Sequence, residues 1–316
     1  MRLWVPKRRT RNENARAFTA LDTIPQGFNR ILYNLRIWSS PLSSSSSTLT
    51  TAQVEAYWRD GFLNEIPILS AAQMQVARQK LIELEHFEIA ANPDQWIDPS
   101  YQPWATPGSG WWHWFQGMVR HPTILGAVQC LLGPNVLIRN ADIFVKPVGS
   151  PVAIRWHTDT TADAQHADKM LTAWLAVSHS SPTNGCMEWL TGSHRQPLPP
   201  EVKDKFSLSF NEESARAVEH APRRPNILAP GQMSLHHFRT IHRSGNNKES
   251  APRIGLVIRF MASDTPVSVA ETERGTLVSG ENVPGHFHHQ RQFPVSWNKR
   301  SRTPQLSIED DGIGGP

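Results

Sequence analysis

From Val136 onward the chain breaks into short apolar stretches rich in β-branched residues: Val136 to Val148, Val152 to His157, Leu171 to Val177, Cys186 to Leu190, Met233 to His237 and Arg253 to Met261. Gly, Pro, Asn and Ser separate them, which is the punctuation of an all-β sandwich or barrel. Upstream the period is helical. Thr51 to Asp60 predicts a short helix stopped by Gly61, followed by a strand-like Phe62 to Leu69. Ser70-Ala71-Ala72-Gln73 is a capping box, and a helix should run from it to about Glu88. His121-Pro122 starts another helix, which Gly133-Pro134 ends. Residues 91–117, rich in Pro, Gly and Trp, are predicted as ordered loop. Helices first and strands after give an α+β arrangement, with helices packed on one side of a β core.

Composition divides the chain into parts. Residues 1–50 carry eight Lys/Arg against Glu13 and Asp22, a balance of +6, so the other 266 residues hold 24 basic and 26 acidic groups, or −2. A nearly neutral body gives no reason to expect a nucleic-acid partner. The basic segment ends in the run Ser43 to Ser47 and reads as a flexible extension. Its Arg- and Ser-rich, acid-poor composition is also that of an organellar transit peptide, the alternative to a cytoplasmic location. No apolar run reaches the ~18–20 residues of a membrane-spanning helix. Cys130 and Cys186 cannot build a disulfide framework and are expected as reduced, buried hydrophobes, which suits an intracellular protein. The expected organisation is an extension over 1–50, one domain over 51–265, and a polar, loosely structured tail over 266–316.

His157-Thr158-Asp159 falls at the end of a predicted strand. Residues i and i+2 of a strand project the same way, so His157 and Asp159 can offer a nitrogen and an oxygen to one ion. One further imidazole would complete the 2-His-1-carboxylate face of a non-haem Fe(II) oxygenase. His-x-Asp alone is weak evidence, because such pairs arise by chance. His236, His237 and His242 are all candidates for the third ligand.

Four stretches in order resemble the phytanoyl-CoA dioxygenase family of Fe(II)- and 2-oxoglutarate-dependent oxygenases. They are TTAQVEAYWRDGFL, the WHTD of Trp156 to Asp159, LTAWLAVSHSSPTNGCMEWLTGSHR, and GQMSLHHFRTIHRSGNNKESAPRIGLVIRF. The resemblance implies a double-stranded β-helix (jelly-roll, cupin-like) core with flanking helices. It also selects His242, because the family's ligand His is followed two residues later by Ser or Thr and eleven later by Arg, as Ser244 and Arg253 follow here. Arg253 is then implied to grip the far carboxylate of 2-oxoglutarate, with Ser244 as a second donor and Trp174 beside the cosubstrate. His236 and His237 become supporting or core residues. The Gly192-Ser193-His194 turn and the Asn184-Gly185 turn are expected to be structural.

The implied reaction is oxidative decarboxylation of 2-oxoglutarate to succinate and CO2, coupled to hydroxylation of an unactivated C–H in a small molecule. Desaturation and ring formation are the alternatives. Relatives that halogenate lack the carboxylate, and Asp159 is present. The segment from Leu171 to Met187 resembles enzymes of natural-product pathways. Trp112 and Trp114, with Trp111 and Phe115, fall where the family's substrate-covering loop tends to occur; packing is the alternative role for these aromatics. Lys146 could face an anionic substrate or 2-oxoglutarate, or simply solvent. A zinc or manganese cupin-type enzyme is the rival class, although such a site needs no anchor for a distant carboxylate.

Overall fold

A computed structural model of the protein describes residues 49–91, 110–151, 153–160, 164–196, 201–203, 208–210, 222–266, 274–282, 288–289 and 295–299. Nearly all of the basic extension, and the last residues of the tail, lie outside them. Helix α1 (Thr51–Asp60) is followed by β1 (Phe62–Pro67), then by α2 (Ala71–Ala91), α3 (Gly110–Val119) and α4 (Pro122–Leu132). The strands are β2 (Val136–Lys146), β3 (Ile154–Thr158), β4 (Met170–Ala176), β5 (Met187–Leu190), β6 (Glu201–Lys203), β7 (Leu208–Phe210), β8 (Arg223–Pro225), β9 (Gln232–His237), β10 (His242–Ser244), β11 (Arg253–Ala262), β12 (Arg274–Ser279), β13 (His288–His289) and β14 (Val295–Lys299). No described helix is long and apolar enough to cross a membrane.

Local chemistry sets the first elements. Thr50 and Gln53 form a reciprocal capping box on α1, and Gly61, at φ +89°, ends that helix in a conformation other residues resist. The Ser70–Gln73 box is present too: the Ser70 N–H donates to Gln73 Oε1 (2.9 Å) and the Gln73 N–H to Ser70 Oγ (3.3 Å).

Two sheets make the core. The larger runs β1-β9-β4-β11-β2-β12-β13, with β14 also on β2; the smaller runs β6-β7-β3-β10-β5-β8. Every residue of β4 is buried, because both faces of the larger sheet are covered. Its outward side chains, Leu171, Ala173 and Leu175 with Leu256, Ile258 and Phe260 of β11, join α1 to α4 in the main hydrophobic cluster. Its inward side chains face the smaller sheet, so the strand reads as a continuous apolar run rather than an alternation. This is the jelly-roll arrangement, helices on one side and the site between the sheets.

Two expectations change. Residues 110–119 are helix, not loop: Trp111, Trp114, Phe115 and Met118 keep helical spacing, hidden in the sequence by Trp112 and two glycines. Trp114, 6% exposed, packs edge-on against Phe115 within the main cluster, in the packing role that was the alternative to a substrate contact. The described side chains do not include Trp112. The segment expected as a loose tail also supplies strands: Thr276 and Leu277 of β12 pair with Ile138 and Leu137 of β2, and β14 pairs with β2 further along. Their short length and polar neighbours concealed them.

Trp114→Ala should therefore cost about 3–5 kcal/mol of stability by urea denaturation, as for a large core aromatic. A substrate role would instead leave stability near wild type and change kinetics alone.

Candidate metal centre

The site begins with a register. β10 lies between β3 and β5, and His242 sits directly opposite His157 in the antiparallel pair, with ring centroids 4.0 Å apart. Asp159 follows β3, and its N–H donates to the Phe238 carbonyl (3.0 Å), which ties the turn to the segment leading into β10. His157, Asp159 and His242 thereby bring one ligand atom each within 4.8 Å of one another, the grouping among the described residues that could hold a metal.

Both imidazoles are held in one tautomer. His157 Nδ1 lies 2.8 Å from the Arg155 carbonyl and His242 Nδ1 lies 2.9 Å from the Thr240 carbonyl. A carbonyl only accepts, so each Nδ1 carries the proton and each Nε2 keeps its lone pair for a metal. Burial pushes the His157 pKa down; it pushes His242 well below the usual histidine range, with the neighbouring His157 adding to the effect. Both rings are thus neutral, as metal ligation requires.

Asp159 is 8% exposed. Burial alone would push its pKa up, but Arg259, His236 and His242 outweigh that and hold the carboxyl well below the usual range. Its Oδ2 accepts from Thr172 Oγ1 (2.6 Å) and from His236 Nε2 (3.0 Å). Its Oδ1 is 4.0 Å from His242 Nε2 and 3.8 Å from Arg259, beyond hydrogen-bond range of both. Arg259 is engaged with Asp142 at 2.6 Å. Two neutral imidazole nitrogens and one carboxylate oxygen, all without a hydrogen bond and converging, fit a divalent first-row metal with positions left open.

A second polar group lies in the same space between the sheets. Arg253 opens β11, opposite Lys146 of β2, and is 1% exposed. Its guanidinium donates to the Gly185 carbonyl, sits 5.4 Å from the Trp174 ring and 5.9 Å from Phe144, and leaves its Nε without a partner. No described carboxylate pairs with it. Burial lowers its pKa to about 10, and a buried, part-bonded arginine is a seat for an anion. Gly255 makes room for Trp174, because a Cβ there would overlap the indole ring. Lys146 is 2% exposed rather than solvated; its Nζ donates to Ser244 Oγ (3.0 Å) and to the Gly245 carbonyl.

The candidate residues therefore fall into three groups. His157, Asp159 and His242 converge; Arg253, Ser244, Trp174 and Lys146 gather around one buried cationic seat; Trp114 lies apart in the core. Sequence reasoning missed Thr172, Arg259 and Asp142. Arg259 and Asp142 gave a signal, each a charge with apolar residues on both sides in a strand, whereas a threonine in a strand gives none. His237 is a supporting residue elsewhere, donating from Nε2 to Asp168 (3.0 Å) while its Nδ1 accepts from the Arg239 N–H. Cys186 is buried, its thiol pushed up to about 11, chiefly by burial.

A jelly roll with two imidazoles on adjoining strands and a carboxylate just past the end of one of them defines the class of mononuclear non-haem metal enzymes. Within it, residues 57–255 match the phytanoyl-CoA dioxygenase (PhyH) family, and the chain belongs to that family. It is 31% identical over 157 residues to a probable α-ketoglutarate-dependent hypophosphite dioxygenase of Stutzerimonas stutzeri, covering 46% of this chain and 52% of that protein. It is 28% identical over 194 residues to the peroxisomal phytanoyl-CoA dioxygenase of Mus musculus, covering 57% of each. The chain thus spans little more than half the length of these relatives. A solved non-haem monooxygenase, the ThoJ–Ni complex, shares the fold with a TM-score of 0.58 at 23% identity, over 76% of this chain and 88% of that one.

The ionisation pattern has a measurable sign. His157 and His242 have lowered pKa values in the fold, so below about 6.5 the unfolded chain takes up protons that the folded chain refuses. Asp159 contributes its share until the pH falls through its own depressed value. The metal-free protein should lose stability as pH drops from 7 toward 5, by up to about 1.4 kcal/mol per unit for each histidine. Melting curves across that range should be flatter for His242→Gln.

Proposed function

We propose that the protein is an Fe(II)- and 2-oxoglutarate-dependent dioxygenase that hydroxylates an unactivated C–H of a small molecule. The observation that carries the reading is the pairing of two features in one space: three convergent, unbonded donor atoms, and a buried arginine with no described acid to neutralise it. A metal site alone would suit a zinc or manganese enzyme of cupin type. An arginine waiting for a carboxylate suits an oxo acid that must be held at its far end.

When bound, Fe(II) with 2-oxoglutarate and dioxygen supplies the oxidising chemistry, releasing succinate and CO2. The chain's own residues have positional tasks. His157 and His242 present Nε2, and Asp159 presents Oδ1. Arg253 binds the distal carboxylate of 2-oxoglutarate through its free N–H groups, exchanging a lone carbonyl contact for a charge-assisted one. Ser244 adds a hydroxyl donor, and Lys146 orients that hydroxyl while bringing a second positive charge. Trp174 closes the wall beside Arg253 and excludes water. Because Asp159 fills the third ligand position, hydroxylation is favoured over halogenation.

Anaerobic addition of Fe(II) and 2-oxoglutarate should give the weak visible charge-transfer band of the chelate. If metal binds and no band forms, the reading fails. Asp159→Ala and His242→Ala should each abolish substrate-dependent succinate formation. Arg253→Ala should raise the 2-oxoglutarate KM about 10–100-fold, the scale of a hydrogen bond to a charged group, with a smaller effect on kcat. Once a substrate is found, product from labelled dioxygen should carry one atom of the label; its absence would point to desaturation or ring formation.

A further inference from the structure

We infer that His236 is a positioning residue which, together with Thr172, confines Asp159 to a single metal-facing oxygen. The inference rests on the metal site proposed above and concerns residues that need not touch the ion. Thr172 of β4 and His236 of β9 are cross-strand partners in the larger sheet, so their side chains emerge side by side on its inner face. Both reach across to the same atom, Asp159 Oδ2, at 2.6 and 3.0 Å. That oxygen is thereby saturated by two donors, while Oδ1 has none.

The protonation of His236 follows from its partner. A carboxylate oxygen accepts only, so Nε2 carries the proton and cannot itself be a ligand. Its Nδ1 is then buried with no hydrogen-bond partner, in a side chain 1% exposed. The ring has aromatic company, with Trp189 at 6.1 Å and the His242 ring at 4.8 Å. A phenylalanine would suit such a place better, since it would leave no orphaned nitrogen. What histidine adds is the one N–H aimed at Asp159.

The consequence concerns coordination number. A carboxylate free to rock can bind a metal through both oxygens and take a position that a chelating cosubstrate and dioxygen need. With Oδ2 held by two donors from a rigid sheet, only Oδ1 is offered, and the open positions stay open.

The test is anaerobic titration with Co(II), whose visible absorption reports coordination number, on wild type, His236→Phe, His236→Gln and Thr172→Val, each checked for folding by circular dichroism. His236→Phe and Thr172→Val should each bind Co(II) about 10–100-fold more weakly, the scale expected for loss of a partner to a ligand, and with weaker bands as the carboxylate takes a second position. His236→Gln keeps an N–H near the same place and should restore affinity and spectrum. Wild-type affinity and spectrum in His236→Phe would overturn the proposal, and so would failure of His236→Gln to restore them. If His236→Phe does not fold, Thr172→Val decides: unchanged binding overturns the idea. A wild type that binds Co(II) but gives no charge-transfer band with Fe(II) and 2-oxoglutarate would remove the cosubstrate reading and leave this one standing. A wild type that binds no metal would end both.

Discussion

The pairing of β10 with β3 is the contact on which the metal centre depends. It sets His242 opposite His157, and because β10 is only three residues long, no slack exists to recover the arrangement after a slip. A shift of β10 by one residue would turn His242 to the outer face of the smaller sheet, away from His157, and bring Arg243 inward. β10 is held on both edges, with Trp189 of β5 opposite His242 on the second side, and the Phe238 carbonyl just upstream receives the Asp159 N–H. Ligand geometry is thus inherited from backbone hydrogen bonds, not from the side chains alone.

The larger sheet supplies the rest by a one-to-one register of β11 with β2 from Arg253–Lys146 to Arg259–Asn140. Along that stretch the inner faces carry Arg253, Gly255, Val257 and Arg259 against Lys146, Phe144, Asp142 and Asn140. Polar groups sit at both ends, with apolar surface and the Trp174 indole between. One end carries the buried Arg253 proposed to hold an anion, and at the other Arg259, paired with Asp142, lowers the pKa of Asp159. The register then breaks after Arg259, where Arg139 is the extra residue on β2, which is the behaviour of a bulge beside a functional site.

Much of this was legible in the amino-acid order, and the exceptions have physical causes. His157 and Asp159 were readable because a strand's period of two aligns them. His242 could be selected from three histidines only through its spacing to Ser244 and Arg253, since strand pairing across eighty-five residues of chain leaves no local mark. Helix α3 was obscured because its aromatic stripe is interrupted by Trp112 and flanked by glycines. Lys146 looked like a surface charge, and only the fold brings the β10 hydroxyl and the Gly245 carbonyl to it. Thr172 was beyond reach, because its role lies in facing His236, and cross-strand partners are decided by the sheet as a whole.

The charges around the cavity have a thermodynamic consequence. Asp159 and Asp142 contribute two negative charges, and Arg259, Arg253 and Lys146 three positive ones, so these five side chains carry a net +1. On the proposed reading a divalent cation alone would raise this to +3, and the 2-oxoglutarate dianion alone would lower it to −1. Entering together they return it to +1, the value the surrounding protein already accommodates. Metal and oxo acid are therefore coupled ligands, each improving the other's affinity by the same factor. The protein would then be least hospitable to iron when the cell's supply of the oxo acid is low, a form of substrate sensing that needs no second site and no moving part.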